Sequence, residues 1–152
     1  AHQLKHETIA TVYVQGPLDF KLPQPMLALR TAETSPAQFA FDRGQIYTQA
    51  NTPGLLAFVV SANKLSKEEV TRQVMGQLRA LLNQLGQDAW SIEAFKVIQT
   101  VVEKRATFAC TPNLNRPSAS PCQGITVCGD YVEGPYPATL EGAVISGIQA
   151  VP

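Results

Sequence analysis

Residues 124–130, GITVCGD, and residues 137–147, PATLEGAVISG, decide the fold of this chain. The first stretch is a short apolar run closed by Gly-Asp, which is typical of a buried strand followed by a turn. The second stretch predicts a helix that begins at Pro137 and carries several small residues, as closely packed helices do. We therefore expect a strand, a turn and a helix in this order.

The pairing of Asp130 with a following helix suggests a ligand site. An acidic residue at the end of a buried strand, with a helix amino terminus a few residues later, is one way in which α/β proteins hold phosphorylated or electron-rich ligands. The helix offers N–H groups that lack partners, and the carboxylate accepts hydrogen bonds from hydroxyls. An equally good interpretation is that Gly129 and Asp130 only turn the chain.

The same stretches resemble a known family. Gly129-Asp130 followed by residues 137–147 is similar to the last FAD-contacting segment of the flavin-containing amine oxidase and phytoene desaturase superfamily. Residues 35–43, SPAQFAFDR, and residues 103–108, EKRATF, extend the resemblance, which covers nearly all of the chain. Within the superfamily, the squalene-associated (hydroxysqualene) FAD-dependent desaturases are the most similar group.

The sequence departs from that group at two places. Residues 132–136, VEGPY, stand where the squalene-associated group tends to have a Thr-Gly-Leu type of passage, and Phe39 stands where Trp is common. The first departure leaves the choice of substrate open.

The resemblance implies roles for particular residues. Asp130 would accept hydrogen bonds from the ribityl or pyrophosphate region of FAD, and N–H groups near Thr139 and Leu140 would lie under the pyrimidine end of the flavin. The predicted cofactor-binding residues are Gly129, Asp130, Pro137, Ala138, Thr139 and Leu140. Lys104 and Arg105 could face the flavin or its substrate channel, although most such basic pairs are simply solvated.

The resemblance also implies a reaction, which is hydride removal from a lipophilic isoprenoid-type substrate to the flavin. Members of the superfamily begin with a Gly-x-Gly-x-x-Gly turn that binds the ADP half of FAD, yet no two glycines of this sequence lie two positions apart. We therefore expect the chain to be the carboxyl-terminal part of a larger enzyme and to be inactive alone. Apolar surface left exposed would favour self-association.

Composition narrows the remaining classes. The 12 basic and 12 acidic residues cancel, which argues against nucleic acid as a partner. The three cysteines lack Cys-x-x-Cys spacing and there are only two histidines, so we predict neither a metal site nor hydrolytic catalysis. The odd cysteine count favours a cytoplasmic setting, in which the parent enzyme could contact the inner face of the membrane. Cys128 is expected to be buried.

The hydrophobic pattern predicts an α+β fold. Strands are expected over residues 8–14, 26–29, 37–41, 55–61 and 95–104, with 42–44 as a turn, and one long helix runs from Ser66 to Gly86. They would form a mixed sheet of about five strands covered by that helix, followed by a returning strand and helix of a Rossmann-like FAD domain. The predicted domain limits are 1–110 for the substrate-domain portion, 111–123 for a Pro-rich hinge and 124–152 for the FAD-domain portion.

A second class of function stays open from the residues alone. The chain could be a free-standing α+β module that binds a ligand or a partner without redox chemistry. Such a module would need no dinucleotide-binding fold ahead of it.

Overall fold

The computed structural model describes residues 4–47, 53–86 and 90–151. The chain divides into two compact units, which we call the sheet unit, Thr8–Lys104, and the terminal unit, Ala1–Glu7 with Arg105–Pro152. The predicted domain limits, 1–110, 111–123 and 124–152, divide the chain at other positions than these two units and stay a prediction.

The described part of the chain contains a five-stranded sheet. Its strands are β1 (His6–Gln15), β2 (Met26–Ala28), β3 (Phe39–Asp42), β4 (Leu55–Val60) and β5 (Lys96–Phe108), in the order β2-β3-β4-β1-β5. The pairs β1–β4, β2–β3 and β3–β4 are antiparallel. The α+β class and the number of strands are confirmed, but the sheet is antiparallel rather than mixed. The neighbours β2, β3 and β4 are consecutive along the chain, and consecutive strands pair in parallel only across a longer crossover connection.

One long helix, α2 (Lys67–Gln84), packs against this sheet. Its amino terminus is capped as predicted, since Ser66 Oγ accepts a hydrogen bond from the Glu69 N–H at 3.1 Å. The predicted apolar stripe is buried and joins the core with residues of β1 and β4. The buried apolar side chains of the helix are Val70, Val74, Leu78, Leu81 and Leu82.

A short helix, α1 (Arg43–Ile46), replaces the turn predicted after β3. The buried carboxylate of Asp42 explains the difference, because its Oδ1 accepts from the Gln45 N–H at 3.2 Å and thereby caps the helix. Its Oδ2 accepts from the Leu22 N–H at 3.0 Å. Within residues 4–47, 53–86 and 90–151, the remaining helical elements are a 3₁₀ turn at Ile92–Ala94 and α3 (Leu140–Ala150).

The strand predicted over residues 124–130 is wrong. This segment contains only an isolated bridge between Cys122 and Ile125, and the thiol of Cys128, predicted to be buried, is exposed. An apolar run becomes a strand only when another strand pairs with it, and no described strand lies beside this one. The Rossmann-like part of the prediction is therefore not confirmed.

Within the described ranges, none of the helices is both long enough and apolar enough to cross a bilayer.

Candidate functional site

Hydrogen bonds join the Gly-Asp turn to helix α3. The Gly129 N–H donates to Ser146 Oγ at 2.8 Å, and the Ser146 hydroxyl in turn lies 3.1 Å from the Gly129 carbonyl oxygen. The Ala138 N–H donates to the carbonyl oxygen of Asp130 at 3.3 Å. The structure thus brings together the two stretches from which the family resemblance was drawn.

Gly129 cannot be replaced without strain. Its φ is +149°, a region that residues with a Cβ avoid. A Cβ built there would also lie 2.4 Å from the ring of Tyr131. The turn therefore requires glycine at this position and places the aromatic ring directly beside it.

Helix α3 begins at Leu140 and not at the predicted Pro137. Ala138 has a left-handed backbone with φ of 56°, and Thr139 is extended, so neither belongs to the helix. Thr139 is the N-cap, because its Oγ1 accepts from the Gly142 N–H at 3.0 Å. Pro137 and Ala138 instead form the turn that leads into the cap.

The first turn of α3 has backbone donors without partners among the described residues. Leu140 is 87% exposed, and the N–H groups of Leu140 and Glu141 make no hydrogen bond to any part of the chain that the structure describes. The helix dipole adds partial positive charge at the same end. The turn that precedes α3 packs closely against the first turn of the helix, since a Cβ on Gly142 would lie 2.2 Å from the Tyr136 carbonyl oxygen.

Asp130 also lines a cleft of about 270 Å³ in the terminal unit, which we call the Asp130 cleft. The polar residues of its wall include Arg105, His6 and Tyr131 together with Asp130. Lys104 does not line this cleft, and its carbonyl oxygen accepts from Thr8 Oγ1 at 3.4 Å. Of the two basic residues singled out from the sequence, only Arg105 shares a cleft with Asp130.

Sequence reasoning missed three residues of this region. His6 carries no site signal in the sequence, yet it lines the cleft, because the chain before β1 lies beside the end of β5, where the Ala109 N–H donates to the Lys5 carbonyl at 2.8 Å. No local pattern predicts a contact across a hundred residues. Tyr131 and Ser146 had a weak signal, since both lie within or next to the stretches that decide the fold.

The polar groups of this region fit a flavin nucleotide. The start of α3 offers backbone donors to negative charge, Asp130 offers an acceptor to hydroxyls, and Arg105 offers a cation to phosphate. Thr107, on the cleft wall, has a buried hydroxyl oxygen without a partner among the described residues. No group of three metal-binding side chains was found in the described ranges.

Comparison with known proteins shows the family to which this chain belongs. The family model described as flavin containing amine oxidoreductase matches residues 2–151. Since that match spans nearly the whole chain, the chain belongs to this family, and the resemblance drawn from the sequence is confirmed. A hydroxysqualene dehydroxylase of Sinorhizobium fredii (strain NBRC 101917 / NGR234) is 42% identical over 55 residues, which cover 34% of this chain and only 13% of that curated relative.

Proposed function

We propose that the chain is the carboxyl-terminal part of an FAD-dependent oxidoreductase that removes hydride from a carbon of a lipophilic, isoprenoid-type substrate. The observation that carries the proposal is the hydrogen-bonded union of the Gly129-Asp130 turn with the start of α3, in a chain of a flavin-containing family. When bound, FAD would supply the hydride acceptor.

The residues of this chain would hold the cofactor and favour its negative charge. Asp130 accepts hydrogen bonds from hydroxyls of the ribityl chain, and Gly129 lets the backbone approach closely. The N–H groups of Leu140 and Glu141, with the dipole of α3, stabilise the negative charge that develops on a reduced flavin ring. Thr139 keeps these donors in place by capping the helix.

One face of the sheet carries uncharged side chains, and this supports the proposal of a lipophilic substrate. Two cross-strand rows of side chains lie on the face opposite Val12 and Phe58, which belong to the buried core. Phe39 and Met26, one from each row, are 37% and 53% exposed. Such a surface favours contact with an apolar chain. The rows are Thr11, Val59, Phe39 and Ala28, and Tyr13, Ala57, Phe41 and Met26.

The first test of this function is the natural reading frame upstream of Ala1. We expect it to encode a strand followed by Gly-x-Gly-x-x-Gly, and the purified full-length product to carry the absorbance bands of bound flavin. The D130A variant of that product should retain much less flavin than the variant E133A, which removes a nearby exposed carboxylate. A reading frame that starts close to Ala1, with a product that binds no flavin, would instead favour the free-standing binding module.

A further inference from the structure

Arg116 joins the Pro-rich stretch before the Gly-Asp turn to the loop that follows this turn. Its Nη1 donates to the Val132 carbonyl oxygen at 2.8 Å, and its Nη2 donates to the Gly134 carbonyl oxygen. Between these two contacts, the Glu133 N–H donates to the carbonyl oxygen of Pro117 at 2.9 Å. Three successive residues of the loop are therefore held by Arg116 and Pro117.

The side chain and its place in the sequence both suit this contact. A guanidinium presents its N–H donors in a rigid planar fork, so that one side chain can bind two carbonyl oxygens of the same loop. Pro117 restricts the residue before it to extended conformations, which lowers the entropy that Arg116 loses when it is ordered. Val132 is only 4% exposed, and hydrogen bonds from a charged donor are stronger than those from a neutral one.

The loop held in this way leads directly into the cap of α3. The Thr139 hydroxyl donates to the Tyr136 carbonyl oxygen at 2.6 Å, and Thr139 Oγ1 accepts from the Gly142 N–H at 3.0 Å. Only Pro135 separates Gly134 from Tyr136, and its ring fixes one of its two backbone dihedral angles. A displacement of the Gly134 carbonyl would therefore also displace Tyr136 and disturb the cap.

We propose that Arg116 is a positioning residue, which orients the N–H groups in the first turn of α3 through the loop at 132–136. In the function proposed for the parent enzyme, on which this role rests, these donors stabilise negative charge on the reduced flavin. A further contact agrees with the role, since Arg116 and Pro137 line the same cleft of about 220 Å³. Arg116 thus lies close to the segment that enters the helix as well as to the loop.

The first experiment measures amide hydrogen exchange in the 152-residue chain by NMR. R116Q should speed exchange of the Gly142 N–H at least about threefold, which is within the range that N-cap interactions contribute. Exchange at Val74 and Leu78 of α2 should stay unchanged, which also shows that the variant is folded. R79Q removes the same charge at an exposed position of α2 and should change neither rate.

Two further variants separate position from charge. R116K keeps the charge but presents its donors from a single atom, so it should restore only part of the protection. T139A removes the cap itself, and R116Q/T139A should exchange no faster at Gly142 than T139A alone, because both changes act on one contact. Additive effects, full rescue by lysine, or faster exchange that extends over α2 would overturn the positioning role.

The second experiment measures the midpoint potential of the flavin in the full-length product. R116Q should shift this potential to more negative values, because donors that are out of position stabilise the reduced flavin less. R79Q should leave it unchanged, and R116K gives the same measurement if R116Q loses its flavin. A potential that does not move would make Arg116 a purely structural contact and overturn the proposal.

The two experiments separate this role from the proposed function. Faster exchange at Gly142 in R116Q, with a full-length product that binds no flavin, would support the positioning of α3 and contradict the flavin function. Unchanged exchange in R116Q, with a product that does bind flavin, would overturn the role of Arg116 while the flavin function stands.

Discussion

Two residues just before helix α3 hold left-handed backbone conformations, Tyr136 with φ of 55° and Ala138 with φ of 56°. Each costs on the order of 1–2 kcal/mol for a residue with a Cβ, and such strain persists only where the surroundings impose it. Here the Thr139 hydroxyl donates to the Tyr136 carbonyl at 2.6 Å, and Asp130 binds Ala138 through the backbone. The strain therefore orients the start of α3 beside the Gly-Asp turn.

The substitution G129A tests how firmly this turn is fixed. We expect the free energy of unfolding of the terminal unit to fall by about 1–3 kcal/mol, because alanine is strained at a positive φ and its Cβ would meet the ring of Tyr131. Urea denaturation followed by circular dichroism measures the change. G147A is the control, since a Cβ there meets nothing within 4 Å and alanine should stabilise the helix by up to about 1 kcal/mol. Equal effects of the two variants would contradict the assignment.

At the scale of single residues, the sequence predicted which positions matter better than it predicted what they do. Gly129, Asp130 and Thr139 were singled out, and the structure brings them together. The start of α3 was misplaced because Pro137 fits the first turn of a helix equally well in sequence. Only the dihedral angle of Ala138 shows that the chain turns once more before the helix.

Helix α2 is joined to the chain before β3 by a buried amide. Gln77 Oε1 accepts from the Ala37 N–H at 2.9 Å, and its Nε2 donates to the carbonyl oxygens of Ala37 at 2.9 Å and Arg30 at 3.2 Å. Ala37 belongs to the SPAQF stretch of the family resemblance. That stretch is therefore held by a polar contact of the core, in addition to its apolar packing.

The substitution Q77M should lower the free energy of unfolding by roughly 2–4 kcal/mol, because it leaves buried backbone groups of Ala37 without partners. Q84M makes the same change at an exposed position of α2 and should shift stability by less than about 0.5 kcal/mol. Thermal and urea denaturation of both variants provide the comparison. If Q77M were as stable as Q84M, the amide contact would contribute nothing measurable.

The first turns of α2 contain an ion pair between Glu69 and Arg72, whose contribution to stability depends on pH. Hydrogen bonds from Arg72, and then from Gln73, lower the pKa of Glu69 from its ordinary value. A carboxyl whose pKa is lower in the folded state stabilises the protein above its unfolded pKa, and this contribution is lost as pH falls through the folded pKa. E69Q should therefore make stability less dependent on pH in the acid range below about 4.3. Unfolding midpoints from pH 2 to 7 test this.

At the scale of elements, the spacing of apolar residues predicted an element well where the buried side chains of that element lie on one face of it. The buried stripe of α2 follows directly from side-chain spacing. The run at 124–130 has an equally apolar pattern, but a strand there would need a partner, and a sequence pattern does not reveal whether one is present. The pairing of β1 with β4 likewise joins segments that are distant in sequence, which a local pattern does not reveal.

On the scale of the whole molecule, α3 carries an exposed apolar side. Leu140, Val144 and Ile148 recur at intervals of four residues and are each at least 59% exposed. This agrees with the exposure of apolar surface expected from the sequence. Residues at such spacing form one continuous stripe, which favours association with another apolar surface.

We predict that the 152-residue chain self-associates through this stripe. The substitution V144K should weaken self-association at least about tenfold, because a buried lysine at the contact loses hydration without a partner. Q149K adds the same charge at an exposed polar position of α3 and should have little effect. Sedimentation velocity over a range of concentrations measures both. A wild-type chain that remains monomeric at high concentration would contradict the prediction.

The exposed thiols of Cys110, Cys122 and Cys128 make this protein suitable for optical studies without any added residue. Cys128 directly precedes the Gly-Asp turn, so a fluorophore attached there would respond to changes around Asp130. With the other two cysteines changed to serine, dye emission could be followed in millisecond mixing experiments. The residue expected to be hidden in a strand thus becomes a natural reporter for the events proposed beside it.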